Sequence, residues 1–245
     1  MTSVARRGNE KWVLVPGTLC TSRVFEPLLN AIGVPEDSRH FVSVDAPDVR
    51  AYDGRLRNAV TGGEIVCGFS LGALILSHNL DALRSARAIV LLACNPFPDA
   101  PDNRAKREAV RDRVIAGEAR SWIEENWSVM SSSNDDSLKQ TVASMAEEMS
   151  HLVAEQTELA MSRPGAEAEL KLWNLPLIFV TGSEDKLTPA DQLSGIVASA
   201  KQAHLRVVEG LGHFGLIEAP ELTNQAIQDG LSAAFKNTEN EFVRT

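Results

Sequence analysis

Six short apolar runs stand out along the chain, at residues 12–15, 41–44, 64–67, 88–93, 177–181 and 205–208. Each is too short for a buried helix, and most are rich in Val, Ile and Leu. Each therefore predicts a β-strand covered on both faces. Between them, apolar residues recur at helical spacing. Strand–helix alternation of this kind implies an α/β fold: one mostly parallel, six-stranded sheet with helices on both sides. Right-handed crossovers would set the third strand near the sheet centre and a site at the strands' carboxyl ends.

From Asn95 to Asn174 the alternation stops. Pro96, Pro98 and Pro101 mark a loop, and Asp102 is placed to cap a helix over 103–116. Residues 118–130 and 135–161 read as two more helices, separated by Ser131, Ser132, Ser133 and Asn134. In the last, Leu138, Val142, Met145, Met149 and Leu152 alternate at spacings of four and three residues, which makes one apolar face. The expected organisation is a core segment at 1–95, a helical insertion at 96–174 and a second core segment at 175–245, without internal repeats.

Composition narrows the function. A length of 245 residues suits one domain with a substantial core. The net charge is −9 and there is no long basic run, which argues against nucleic acid or an anionic membrane as partner. Cys20, Cys67 and Cys94 are far apart and odd in number, so they read as reduced thiols of an intracellular protein. Residues 1–11 lack the apolar core of a signal peptide, and no later segment is long and apolar enough to span a bilayer. A cytoplasmic protein acting on a small molecule, without metal or cofactor, is the expectation.

Three motifs carry the chemistry. Gly68-Phe69-Ser70-Leu71-Gly72 joins the third strand to a helix, and a serine flanked by glycines at such a turn is a nucleophile elbow. The turn strains the serine backbone and aims its Oγ out of the sheet, while the glycines allow helix and strand to pack closely. The fifth strand runs into Gly182-Ser183-Glu184-Asp185, and the sixth leads to Gly210-Leu211-Gly212-His213-Phe214. Ser70, Asp185 and His213 thus follow in the order Ser, Asp, His.

On these motifs the chain resembles the α/β-hydrolase superfamily, from about Trp12 to Phe235. The resemblance implies Ser70 as nucleophile, His213 as general base and Asp185 as the acid that orients it. It implies that the insertion is a helical lid. Because only about ten polar residues precede Trp12, the family's opening β-hairpin is expected to be missing. The oxyanion donors are expected to be the main-chain N–H groups of Leu71 and of Thr18, with Leu19 second. Pro16 stands where the family usually has histidine, which a main-chain donor tolerates.

A serine hydroxyl needs a base at neutral pH, and histidine's ordinary pKa suits that task. His40, His78, His151 and His204 sit at positions that read as surface or core, and Glu184 as solvent-facing. Cys20 and Cys67 read as buried small hydrophobes near the site, and Phe25 as core. Thr188-Pro189 reads as a helix start without chemistry. Arg104, Lys106, Arg107, Arg111 and Arg113 are interleaved with acids and read as a solvated helix face.

Trp122, Trp127 and Trp173, with Met130, Met145, Met149 and Met161, lie in or beside the insertion, which suggests an apolar pocket. The substrate-contact candidates are Leu19, Trp127, Met130 and Phe214. The expected function is a serine hydrolase cleaving an ester, thioester or lactone of a small, largely apolar molecule through an acyl-enzyme. Two alternatives stay open: a C–C bond hydrolase or lyase using the same triad, and a ligand receptor on a hydrolase scaffold. Dehalogenase and epoxide-hydrolase relatives carry aspartate at the elbow, and Ser70 argues against both.

Overall fold

In the computed structural model, which describes residues 10–242, six strands pair in parallel: β1 (Trp12–Val15), β2 (Arg39–Phe41), β3 (Ile65–Phe69), β4 (Ala88–Leu92), β5 (Leu177–Gly182) and β6 (Ala203–Val208). Their order across the sheet is β2-β1-β3-β4-β5-β6. The chain leaves β1 toward β2, then crosses back to lay β3 on the other side of β1. The β1/β3 junction is therefore a switch point, where open α/β sheets bind their ligands. The expectation of a missing hairpin concerns residues 1–11, of which 1–9 lie outside the described residues.

The helices are α1 (Glu26–Ile32), α2 (Asp53–Ala59), α3 (Leu71–Ser77), α4 (Arg104–Ile115), α5 (Ala119–Met130), α6 (Asp136–Glu148), α7 (Val153–Ser162), α8 (Glu167–Leu172), α9 (Ser194–Ser199), α10 (Gly215–Glu218) and α11 (Pro220–Phe242). Successive strand residues point to opposite faces of a sheet. Trp12 and Leu14 accordingly join one core cluster with Phe25, Leu28 of α1 and Ile227 of α11. Val13 and Val15 join the other, with Leu56 of α2, Ile75 of α3 and Ile196 of α9. Both faces of β1 and β3 are buried, which is why these strands read as unbroken apolar runs.

Two elements differ from the sequence expectation. The second strand forms at Arg39–Phe41 and not at 41–44, pairing with β1 from Trp12↔Arg39 to Leu14↔Phe41. Val42 and Val44 are buried, as their apolar character suggested, but they follow the ladder; at this sheet edge backbone register sets the strand. The helix expected over 135–161 is two, α6 and α7, joined by a 3-10 turn at Ser150–Leu152. There the Ser150 hydroxyl donates to the Glu147 carbonyl and His151 Nδ1 meets the Glu148 carbonyl, side-chain bonds that compete with helix continuation. The bend lets α6 pack on α5 while α7 returns to pack on α4.

The helices α4 to α8 all lie between β4 and β5. Asn103, not Asp102, stands at the N-terminal boundary of α4, because residues 101–103 form a 3-10 turn, and no side chain caps the helix.

Candidate active site

Ser70 sits between β3 and α3 with φ 51° and ψ −111°, outside the ordinary regions for a residue with a side chain. Its N–H is held by the Leu92 carbonyl at 2.9 Å, and its own carbonyl accepts the Leu74 N–H at 3.0 Å. A Cβ on Gly72 would run into the main chain of Val15 and Pro16, and one on Gly68 would meet the main chain of Ala73 at 2.6 Å. The two glycines are thus required by close approach of α3 to β1 and β3. Leu19 (φ 54°) and Ala93 (φ 48°) are the other non-glycine residues with positive φ among those described, and all three line one cavity. Clustered backbone strain of this kind marks functional sites.

His213 Nε2 lies 2.9 Å from Ser70 Oγ, and His213 Nδ1 lies 3.0 Å from Asp185 Oδ2. The imidazole packs 5.3 Å from the Phe69 ring, and the His213 N–H donates to the Met130 carbonyl at 2.8 Å. Asp185 is buried at the end of β5. Its Oδ1 accepts the N–H groups of Leu187 and Thr188, both at 2.9 Å, and Oδ2 accepts the hydroxyls of Thr188 and, at 3.4 Å, Thr181. Burial raises this carboxyl, but the His213 bond and charge and the Thr188 contacts outweigh it, leaving the pKa at about 2.

Thr188 is a correction. It does precede a 3-10 turn, at Ala190–Leu193, but Pro189 takes the boundary position, and the N–H and hydroxyl of Thr188 both donate to Asp185. Aspartate accepting from the backbone two and three residues on is a recognisable local pattern, and it was available in the sequence. Glu184 is exposed, Phe25 is buried, and all three cysteines are buried free thiols. Burial pushes the Cys20 thiol up to about 12 and Cys67 higher still.

The cavity beside Ser70 and His213 has a volume of about 610 Å³. Thr18, Leu19, Leu71, Met130 and Phe214 all line it. Trp127 does not: it is buried behind Phe214, stacked at 6.0 Å between centroids, with its indole N–H donating to the Ser133 carbonyl at 2.8 Å. Trp173 belongs to the opposite core cluster, and Met145 is packed in the core; Trp122 is the tryptophan on the cavity wall. Position in the chain could not separate a wall residue from the layer behind it.

Among the described residues, nothing accepts the N–H of Leu71 or of Thr18. The Leu19 N–H is occupied, donating to Gln156 Oε1 at 2.8 Å. Gln156 is buried on α7, and sequence reading passed over it because its partners are more than a hundred residues away.

A family model described as the alpha/beta hydrolase family matches residues 12–226. The chain belongs to that family. No curated protein matches the sequence. Similar solved structures include a thermophilic esterase from Thermogutta terrifontis, at 18% identity and TM-score 0.78 over 93% of this chain and 91% of that one. A carboxylesterase from the ammonia-oxidizing Thaumarchaeon Nitrososphaera gargenis aligns at 14% identity and TM-score 0.77, covering 93% of this chain and 92% of that one. A bromoperoxidase from Bacillus anthracis aligns at 14% identity and TM-score 0.74, covering 92% and 93%. At these identities the likeness is one of fold.

Proposed function

We propose that this alpha/beta hydrolase cleaves a carboxylic ester, thioester or lactone of a small molecule through an acyl-enzyme on Ser70. The observation that carries the reading is the continuous contact from Ser70 Oγ through the His213 ring to the Asp185 carboxylate, at 2.9 and 3.0 Å. His213 Nε2 takes the Ser70 proton as Oγ attacks the carbonyl carbon, and Asp185 accepts the Nδ1–H and stabilises the imidazolium. The tetrahedral oxyanion is held by the N–H groups of Leu71 and Thr18. Leu19 is the poorer donor because Gln156 already holds its N–H. Collapse of the intermediate sends the proton from His213 to the leaving group. Water, deprotonated by the same histidine, then releases the acid and restores Ser70.

An apolar moiety suits the cavity wall of Leu19, Leu71, Trp122, Met130 and Phe214. A reducing, cytoplasmic setting suits three lone buried thiols. No helix of the described residues is long and apolar enough to cross a membrane.

The test is active-site labelling. A fluorophosphonate followed by peptide mass spectrometry should give one adduct, on Ser70, and Ser70→Ala should lose both the adduct and turnover of p-nitrophenyl esters. An adduct on another residue, or esterase activity surviving in the alanine variant, would overturn the assignment.

A further inference from the structure

The cavity wall has a second chemistry besides its apolar part. It includes Lys106, Arg107, Arg163 and Lys186 but no Asp or Glu, in a chain whose net charge is −9. Lys106 is exposed, as expected of a solvated helix face, and Arg107 is half-buried; both also border the cavity at the start of α4.

The charges there do not cancel. Asp99 is the one carboxylate engaged: Arg107 grips it through Nε and Nη2 at 2.7 and 2.8 Å, and Arg163 Nη2 reaches it at 3.2 Å. Arg163 is buried and spends its other donors on the carbonyls of Phe97 and Ala160. Two guanidiniums on one carboxylate leave a positive charge in excess. Arg107 Nη1 and the Lys106 ammonium have no partner among the described residues. The Asn95 amide, whose oxygen accepts the Phe97 N–H at 3.2 Å, keeps its NH₂ group free on the same wall.

The placement also runs against the helix. Lys106 and Arg107 stand in the first turn of α4 beside Arg104, which pairs with Glu108 at 3.0 Å; the turn has no acid and no side-chain cap. Cations at a helix N-terminus oppose the macrodipole, whereas an anion there is favoured by the dipole and by the cations together.

We propose that the substrate is amphiphilic, with a compact anionic group, carboxylate or phosphate, held by Arg107 and Lys106 at the end of the cavity formed by the α4 N-terminus. The scissile acyl group then lies along the apolar wall to Ser70. The proposal rests on the hydrolase reading of Ser70.

The experiment compares p-nitrophenyl hemiesters of glutaric and adipic acid with their methyl-capped neutral counterparts. At low ionic strength kcat/KM should favour the anionic members by about tenfold, the scale of one charge-assisted contact, and the preference should shrink with added salt. Arg107→Gln and Lys106→Gln should each reduce the anionic-to-neutral ratio severalfold. Arg107→Gln leaves Asp99 with less support and can lose stability, so Lys106→Gln, exposed and unpaired, is the decisive variant. Competitive inhibition by inorganic phosphate but not glutarate assigns the group as phosphate, and the converse as carboxylate.

A ratio near or below one at both chain lengths, unmoved by Lys106→Gln, overturns the anion site while leaving the hydrolase intact. Should no ester be turned over and no fluorophosphonate adduct form, the hydrolase reading fails. Calorimetry with glutarate and phosphate on the unlabelled protein then decides the anion site alone: binding weakened by Lys106→Gln supports it, and no binding overturns it.

Discussion

Gln156 on α7 accepts the Leu19 N–H at 2.8 Å, while its amide nitrogen donates to the Val44 carbonyl at 2.9 Å. One buried side chain thereby ties the helical insertion to the loops that follow β1 and β2. Leu19 stands at φ 54°, a conformation that costs on the order of 1–3 kcal/mol unless its surroundings hold it. The bond also fixes the peptide next to Thr18, the proposed oxyanion donor.

Gln156→Ala should therefore lower kcat by about tenfold or more with little change in KM, because misplaced oxyanion donors act on the transition state. Gln156→Glu keeps the acceptor for Leu19 but loses the donor to Val44, and should fall between the alanine variant and the parent. Steady-state kinetics of the three proteins decides this. A lower melting temperature with kcat intact would reduce Gln156 to a structural tie.

Asp185 makes a prediction about pH. Its folded pKa of about 2 lies below the ordinary value of 3.8, so ionised Asp185 favours the folded state. That contribution is complete above about pH 4 and is lost as pH falls through about 2. It amounts to roughly 2 kcal/mol. Urea unfolding between pH 4 and pH 2 should show the parent losing about that much more stability than Asp185→Asn. At neutral pH the same variant should lose about 10³–10⁴ in kcat, since an amide cannot hold the imidazole in the required tautomer. Parallel pH–stability curves for the two proteins would count against the assigned shift.

How much of this was legible in the sequence depended on whether the signal was local. Ser70, Asp185 and His213 each sit in a short motif at a strand end, and parallel strands bring those ends together whatever lies between. The four inner strands β1, β3, β4 and β5 were legible for the same reason, since doubly buried strands announce themselves as apolar runs, whereas β2 and β6 at the edges are partly exposed. The boundary of β2 was less so, because Val42 and Val44 report burial and not pairing. The bonds of Gln156 and the grip of Arg107 on Asp99 were not legible because their partners are set by how the insertion folds back over the sheet. No local pattern in the insertion specifies that return.

Trp127 and Met130 show the same boundary between motif and packing, and they can be separated by experiment. The two residues are three apart on α5, both are buried, and both were candidates for substrate contact. Met130 lines the cavity, and its carbonyl also accepts the His213 N–H, which any residue at that position can do. Trp127 lies one layer back against Phe214 and anchors the Ser133 loop through its indole. Trp127→Ala should cost about 3–5 kcal/mol by opening a hole in a packed cluster, with preference among acyl chain lengths nearly unchanged. Met130→Ala enlarges the wall itself, and should shift that preference toward longer chains at a smaller cost in stability. Melting curves together with kcat/KM across p-nitrophenyl acetate, butyrate, hexanoate and octanoate test both. Should Trp127→Ala redirect chain-length selectivity while Met130→Ala merely melts earlier, the cavity wall has been drawn on the wrong side of Phe214.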